Sequence, residues 1–245
     1  MPGRLSRPVA IVAALLFAAA SPTAAEVPAA GVWEWRLPSG FPTPRVPADN
    51  PMSEAKVELG RRLFYDIRLS GNRTQACATR NRKALAFTDG RPRAIGSTGE
   101  THRRSAMSLA NVGYLVSLTW ADPGLRRPEE QALVPMLGTH PVELGMGGRE
   151  GEIVARLADA PRYPPLFAAA FPGEARPIRL DNVTRAIAAF ERTLISGDAP
   201  YDRLVYRGEM EALDAAAWRG MRLFFSDRLA CSRCHAGPAF SGSID

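Results

Sequence analysis

Lysine is nearly missing from this chain of 245 residues: Lys56 and Lys83 are the only two, and arginine supplies the rest of the 31 basic residues, against 25 acids. The net charge of +6 falls to +4 once Arg4 and Arg7, in a stretch of 25 residues without an acid, are set aside. The arginines are scattered among acids, which argues against the basic stripe that nucleic acid requires. Long apolar runs are missing as well. Val9–Ala20, the longest, has 12 residues, short of the ~20 that span a bilayer, so the mature chain is expected to have no membrane span. No stretch shows convincing β-alternation, and the predicted fold class is all-α. Cysteine is scarce and odd in number, at three, so the thiols cannot all be paired within the chain. The apolar content of 46% and charged content of 23% are ordinary for a globular chain of one or two domains.

The first 25 residues read as a secretory signal peptide. Arg4 and Arg7 precede the apolar run, the small residues Ser21 to Ala25 follow it, and Glu26 is the first acid. Cleavage is expected after Ala25, which predicts an exported protein.

Two of the cysteines stand in Cys231-Ser232-Arg233-Cys234-His235. Thiols at this spacing reach the two vinyl groups of one haem while the adjacent imidazole coordinates the iron. A redox pair wants a strand-to-helix context, and zinc wants a fourth ligand that no nearby residue supplies. Cys231, Cys234 and His235 therefore predict covalent haem c.

An internal repeat leads into this motif. Gly60-Arg-Arg-Leu-Phe-Tyr-Asp-Ile-Arg-Leu69 recurs as Gly220-Met-Arg-Leu-Phe-Phe-Ser-Asp-Arg-Leu229, with six of ten positions identical. The second copy runs through Ala230 into Cys231. The first, after the insertion Ser70 to Gln75, runs through Ala76 into Cys77-Ala78-Thr79-Arg80-Asn81. Arg80 and Asn81 stand where the intact copy has Cys234 and His235, so the segment reads as a haem motif reduced to Cys77. The bland alternative is an unrelated buried cysteine.

Helices are predicted from the N-cap Ser53, from Asp181 along the stripe Val183, Ile187, Phe190 and Leu194, and from Asp214 to about Phe225. Leu213 and Trp218 are spaced as a hydrophobic staple for the last of these. Further helices are predicted over Ser105–Tyr114, Pro128–Leu137 and Glu150–Asp159. Pro38–Pro51 and Pro161–Pro177 read as connections, and Thr88–Arg104 as a polar loop.

The paired segments ahead of haem motifs resemble those of the bacterial di-haem cytochrome c peroxidase and MauG superfamily. Trp33-Glu34-Trp35 through Gly40-Phe41-Pro42, Asn50-Pro51-Met52-Ser53, Ala86-Phe87-Thr88-Asp89-Gly90 and Leu194-Ile195-Ser196-Gly197 look most like the MbnH-type branch. The resemblance implies a periplasmic protein with two tandem cytochrome c-like domains, at 53–200 and from 201, behind an extension at 26–52. It also implies two haems, hydrogen peroxide as oxidant, and a protein or cytochrome redox partner. Trp120 is similar to the tryptophan between the haems, Gln131 and Glu143 to the pair lining the peroxide side, and Asn111 to a ligand of an inter-haem calcium. His102 lies where some relatives carry a distal histidine, but His102 and His140 both read more simply as surface residues.

Two departures qualify what the resemblance implies. Asn81 offers the iron of the peroxide-reactive haem no imidazole, and Arg80 puts a fixed charge where a thioether would form. The sequence also stops ten residues past His235, so the second domain, 201–245, is expected to be incomplete. One covalent haem is predicted. Either the chain is a peroxidase-type oxidoreductase with a disrupted peroxide site, or it is a non-catalytic mono-haem protein for electron transfer or partner binding.

Overall fold

A computed structural model describes residues 33–119 and 122–242; the expected signal peptide and Trp120 lie outside them. Nine α-helices are present among these residues. They are α1 (Glu54–Phe64), α2 (Cys77–Arg80), α3 (Pro128–Gln131), α4 (Leu133–Leu137), α5 (Glu150–Ala158), α6 (Tyr163–Ala170), α7 (Leu180–Arg192), α8 (Pro200–Arg207) and α9 (Ala215–Phe224). The described residues form no strand, only three isolated bridges. The all-α expectation holds.

The core is built where α1 lies against α7 and α6. Leu59, Leu63 and Phe64 of α1 and Val183, Ala186 and Ile187 of α7 are buried there. Gly60 sets the closeness of the crossing, since a Cβ at that position would stand 1.8 Å from the Ala186 carbonyl. Ser53 caps α1 by accepting from the Lys56 N–H at 3.2 Å, and Asp214 caps α9 by accepting from the Ala217 N–H at 2.7 Å, both as predicted.

Four expectations require correction. Asp181 sits inside the first turn of α7, which starts one residue earlier, and Arg179 takes the cap position without a side-chain bond. Ser105–Tyr114 is not an α-helix. Its backbone is drawn away by the Asn111 N–H donating to the Leu194 carbonyl at 2.7 Å, Asn111 adopts φ 62°, and only the short 3₁₀ turn Val112–Tyr114 remains. Pro128–Leu137 divides at Ala132, because Pro135 has no N–H to donate to the Gln131 carbonyl. The stretch taken for a proline-rich connection contains α6. Its Pro164 and Pro165 fall in the first turn, where the missing N–H groups would have had no helical partner.

The two copies of the repeat adopt matching structures, a helix ending in a short turn, with opposite surroundings. In the first, Leu63, Phe64 and Leu69 are fully buried. Asp66 below them caps the Arg68 N–H at 2.8 Å and accepts from the Tyr163 hydroxyl and Arg162. In the second, the counterparts Leu223 and Leu229 are exposed and Phe224 is half-buried. The insertion after the first copy is held from outside: the Arg156 guanidinium on α5 donates to the carbonyls of Arg68, Ser70 and Gly71 at 2.9, 2.7 and 3.2 Å.

Candidate functional site

Cys77, at the start of α2, opens onto a cavity of about 340 Å³. Arg80 and Asn81 line it beside Cys77, Gln131 and Glu143 face it from α3 and the loop after α4, and His102 and Glu191 complete its polar wall. The predicted pair Gln131 and Glu143 is thus brought to one space with the residues of the first cysteine motif.

Arg80 does not point to solvent. Its guanidinium forms a close ion pair with the Glu143 carboxylate, and its Nη1 lies 3.4 Å from His102 Nε2. His102 Nδ1 lies 3.5 Å from the same carboxylate. Burial pushes the Glu143 carboxyl above the usual range, while Arg80 and His102 pull it back. The reading of His102 as a surface residue is overturned, since it is only 9% exposed. The physical reason is backbone pairing: His102 N–H donates to the Ala94 carbonyl and Ala94 N–H to the Arg104 carbonyl, folding the loop over the cavity. His140 is exposed and outside the cavity.

Asn81 turns back on its own helix, donating to the Cys77 carbonyl at 2.9 Å. Desolvation, reinforced by the carboxyls of Glu191 and Glu143, pushes the Cys77 thiol up to about 12. Glu191 was not singled out by the sequence reading. It is 5% exposed, burial raises its carboxyl to about 8 against the pull of Arg192, and its Oε2 has no hydrogen-bond partner among the described residues. The available signal was its place one helical turn after Ile187 on the buried side of α7.

A second unforeseen network joins the N-terminal segment to the core. Lys56 Nζ donates to Asn50 Oδ1 at 2.9 Å, Asn50 Nδ2 donates to Glu129 at 2.7 Å, and Arg192 donates to Glu129 at 2.9 Å. Burial would raise the Glu129 carboxyl, but Arg192 and Asn50 together hold it below the usual range. Asn111 clamps the segment after α7: its amide donates to the Ser196 carbonyl and its carbonyl accepts from the Ser196 N–H, at 2.9 and 2.8 Å.

The intact motif forms a 3₁₀ turn, Cys231–Arg233, entered through Ala230 at φ 50°. The His235 N–H donates to the Cys231 carbonyl at 2.9 Å. His235 Nδ1 lies 3.0 Å from the Phe240 carbonyl, a contact that requires the proton on Nδ1 and leaves Nε2 free as a ligand. Phe224, Phe225, Phe240 and Tyr201 pack on one another beside it, and Tyr201, Phe225, His235 and Phe240 line a cavity of about 260 Å³. Two thiols, a free imidazole nitrogen and an aromatic wall fit a thioether-bound haem.

Helices without a sheet, with such a turn at their end, define the class of helical haem proteins. The di-haem cytochrome c peroxidase family matches residues 54–211. The chain is 37% identical to the methylamine utilization protein MauG of Methylorubrum extorquens, over 84% of this chain and 56% of that one. It is 31% identical to the cytochrome c551 peroxidase of Pseudomonas aeruginosa, over 78% and 53%. A solved MauG-like protein associated with microbial copper homeostasis superposes with a TM-score of 0.78 at 45% identity, covering 87% of this chain and 62% of that one. The chain belongs to the di-haem cytochrome c peroxidase family, and it spans little more than half the length of these two curated relatives.

Proposed function

We infer that this is an exported, periplasmic haem c protein that carries one covalent haem, on Cys231, Cys234 and His235, and serves in electron transfer with a protein or cytochrome partner. The two-domain division at residue 200 belongs to this reading. So does the MbnH-type assignment, which the 45% identity to the MauG-like protein supports. The observation that carries the reading is the Arg80–Glu143–His102 cluster, with Asn81 folded back on Cys77. In the first motif a guanidinium replaces a thiol, an amide engaged with backbone replaces an imidazole, and covalent haem c does not fit.

Haem at His235 supplies one-electron chemistry when bound. The contribution of the chain is to hold the imidazole: a bond from Nδ1–H to the Phe240 carbonyl fixes the ring and raises the basicity of Nε2, and the Phe224 ring lies 6.4 Å from it. Glu143, which could move protons for peroxide cleavage, is held by Arg80 instead. Peroxide turnover by this chain is therefore expected to be negligible.

A pyridine haemochrome assay on the matured protein checks the count. One haem per chain is expected, and two would overturn the reading.

A further inference from the structure

Lys83 and five arginines, Arg82, Arg91, Arg93, Arg103 and Arg104, fall in the segment 82–104 that follows α2. All six are exposed, and none has a carboxylate within 4.0 Å among the described residues. Their excess is hidden in the sequence, because the acids Asp89 and Glu100 are interleaved with them. Asp89 is buried and accepts from the Arg91 N–H at 3.0 Å, while Glu100 accepts from the Val142 N–H at 2.8 Å. Neither carboxylate answers the cations. The backbone then gathers them. Arg82 N–H donates to the Thr88 carbonyl and Phe87 N–H to the Arg82 carbonyl, each at 2.9 Å, closing a turn three residues before Arg91. Ala94 bonds to Arg104 and to His102, at 3.0 and 2.8 Å, which brings Arg103 and Arg104 to the backbone next to Arg93. Arg80, two residues before Arg82, lies 3.4 Å from His102, one residue before Arg103. Both ends of the segment thus return to one region.

Like charges gathered in this way repel one another, and an oppositely charged surface relieves the repulsion. The turn also presents an exposed apolar run, Ala84, Leu85 and Ala86, directly after Arg82 and Lys83. Its backbone is fixed in an uncommon shape: Ala86 and Phe87 take φ of 52° and 59°, a left-handed pair without glycine. The Ala86 carbonyl accepts from the Ser108 hydroxyl, and Phe87 packs edge-on against Phe64 of the core. A surface set in advance loses little freedom on binding. Apolar residues beside a charged rim are the make-up of a protein interface. We propose that residues 82–104 form a docking face for a partner protein whose own surface is acidic around an exposed apolar residue. Lipid phosphate would answer the charge but makes no use of a fixed apolar turn. The inference goes beyond the haem reading and stands with one haem or two.

Two peptides of about 20 residues, the scale of one side of an interface, serve as probes on the matured full chain. One is polyglutamate, the other has leucine at every fourth position, and fluorescence anisotropy reads binding. Raising sodium chloride from about 0.05 to 0.2 M halves the screening length and should weaken both by about tenfold. Arg82→Ser, Lys83→Ser, Arg91→Ser and Arg93→Ser together should weaken both by about tenfold or more. Arg45→Ser, Arg176→Ser, Arg219→Ser and Arg222→Ser remove the same charge from exposed positions elsewhere and should have an effect under about threefold. The leucine peptide should bind a few-fold tighter than polyglutamate, and Leu85→Ser should erase that advantage. The salt series and the comparison of peptides use the unaltered protein, so they survive if a variant fails to fold. Equal losses in the two fourfold variants would show net charge without a docking face and overturn the proposal. So would equal affinity for the two peptides, no binding of either at millimolar concentration, or tighter binding to vesicles of phosphatidylglycerol with phosphatidylcholine than to either peptide.

Discussion

Glu191→Gln isolates the cost of charging a buried carboxyl. The carboxyl moves from an ordinary value of 4.5 in the unfolded chain to about 8 in the fold, chiefly through desolvation, with Glu129 adding repulsion and Arg192 opposing both. A folded state that holds its proton more tightly than the unfolded state is favoured at low pH and loses that advantage as pH rises through 4.5 to about 8. At about 1.36 kcal/mol for each tenfold in proton affinity, the loss reaches about 5 kcal/mol if nothing relaxes. Water entering the cavity beside the new carboxylate recovers part of it, and about 2–3 kcal/mol is expected to remain. Glutamine has the same shape and cannot ionise, so its pH profile should lack this component. Urea denaturation followed by circular dichroism at pH 5.5 and pH 9 measures the difference: pH 5.5 already lies a unit above 4.5, so the variant should gain about 1–2 kcal/mol relative to the parent between the two conditions, or roughly 3–6 °C in melting temperature for a fold of this size. Every other titrating group is common to both proteins and cancels. Parallel profiles would refute the argument.

Arg192→Ala strands Glu129 in the core without its counter-ion and should destabilise the fold by roughly 3–5 kcal/mol, read as a shift in the denaturation midpoint. Cys77 should resist maleimide in the folded protein, since burial keeps its thiol protonated, and label fully after denaturation; a disulfide-linked dimer would contradict this. One equivalent of peroxide in a stopped-flow spectrometer should change the haem spectrum no faster than a small exposed haem peptide does. A rapid change would show that the peroxide site is assigned to the wrong motif.

The helices most legible in the sequence were those whose signals are local. Ser53 and Asp214 cap their helices through bonds made within three residues, and the α7 stripe is a simple period. Ser105–Tyr114 misled for the opposite reason, because the bond that fixes Asn111 comes from Leu194, far along the chain. The prolines of α6 were misread because proline stops a helix in its middle and is tolerated at its start. At the site, the sequence placed Gln131 with Glu143 by resemblance and aligned Cys77 by the repeat. It could not show His102 folding over Arg80, or Glu191 facing a cavity, because both depend on which loop closes over which helix.

Arg156 bears on how such a protein varies. Three carbonyls of the segment that leads to Cys77 are held by one guanidinium from α5, outside the motif altogether. The segment keeps its course by means of this outside anchor, whatever stands at positions 80 and 81. A scaffold anchored in this way separates the inheritance of a shape from the inheritance of its chemistry. The motif is then free to drift while selection still acts on an intact fold.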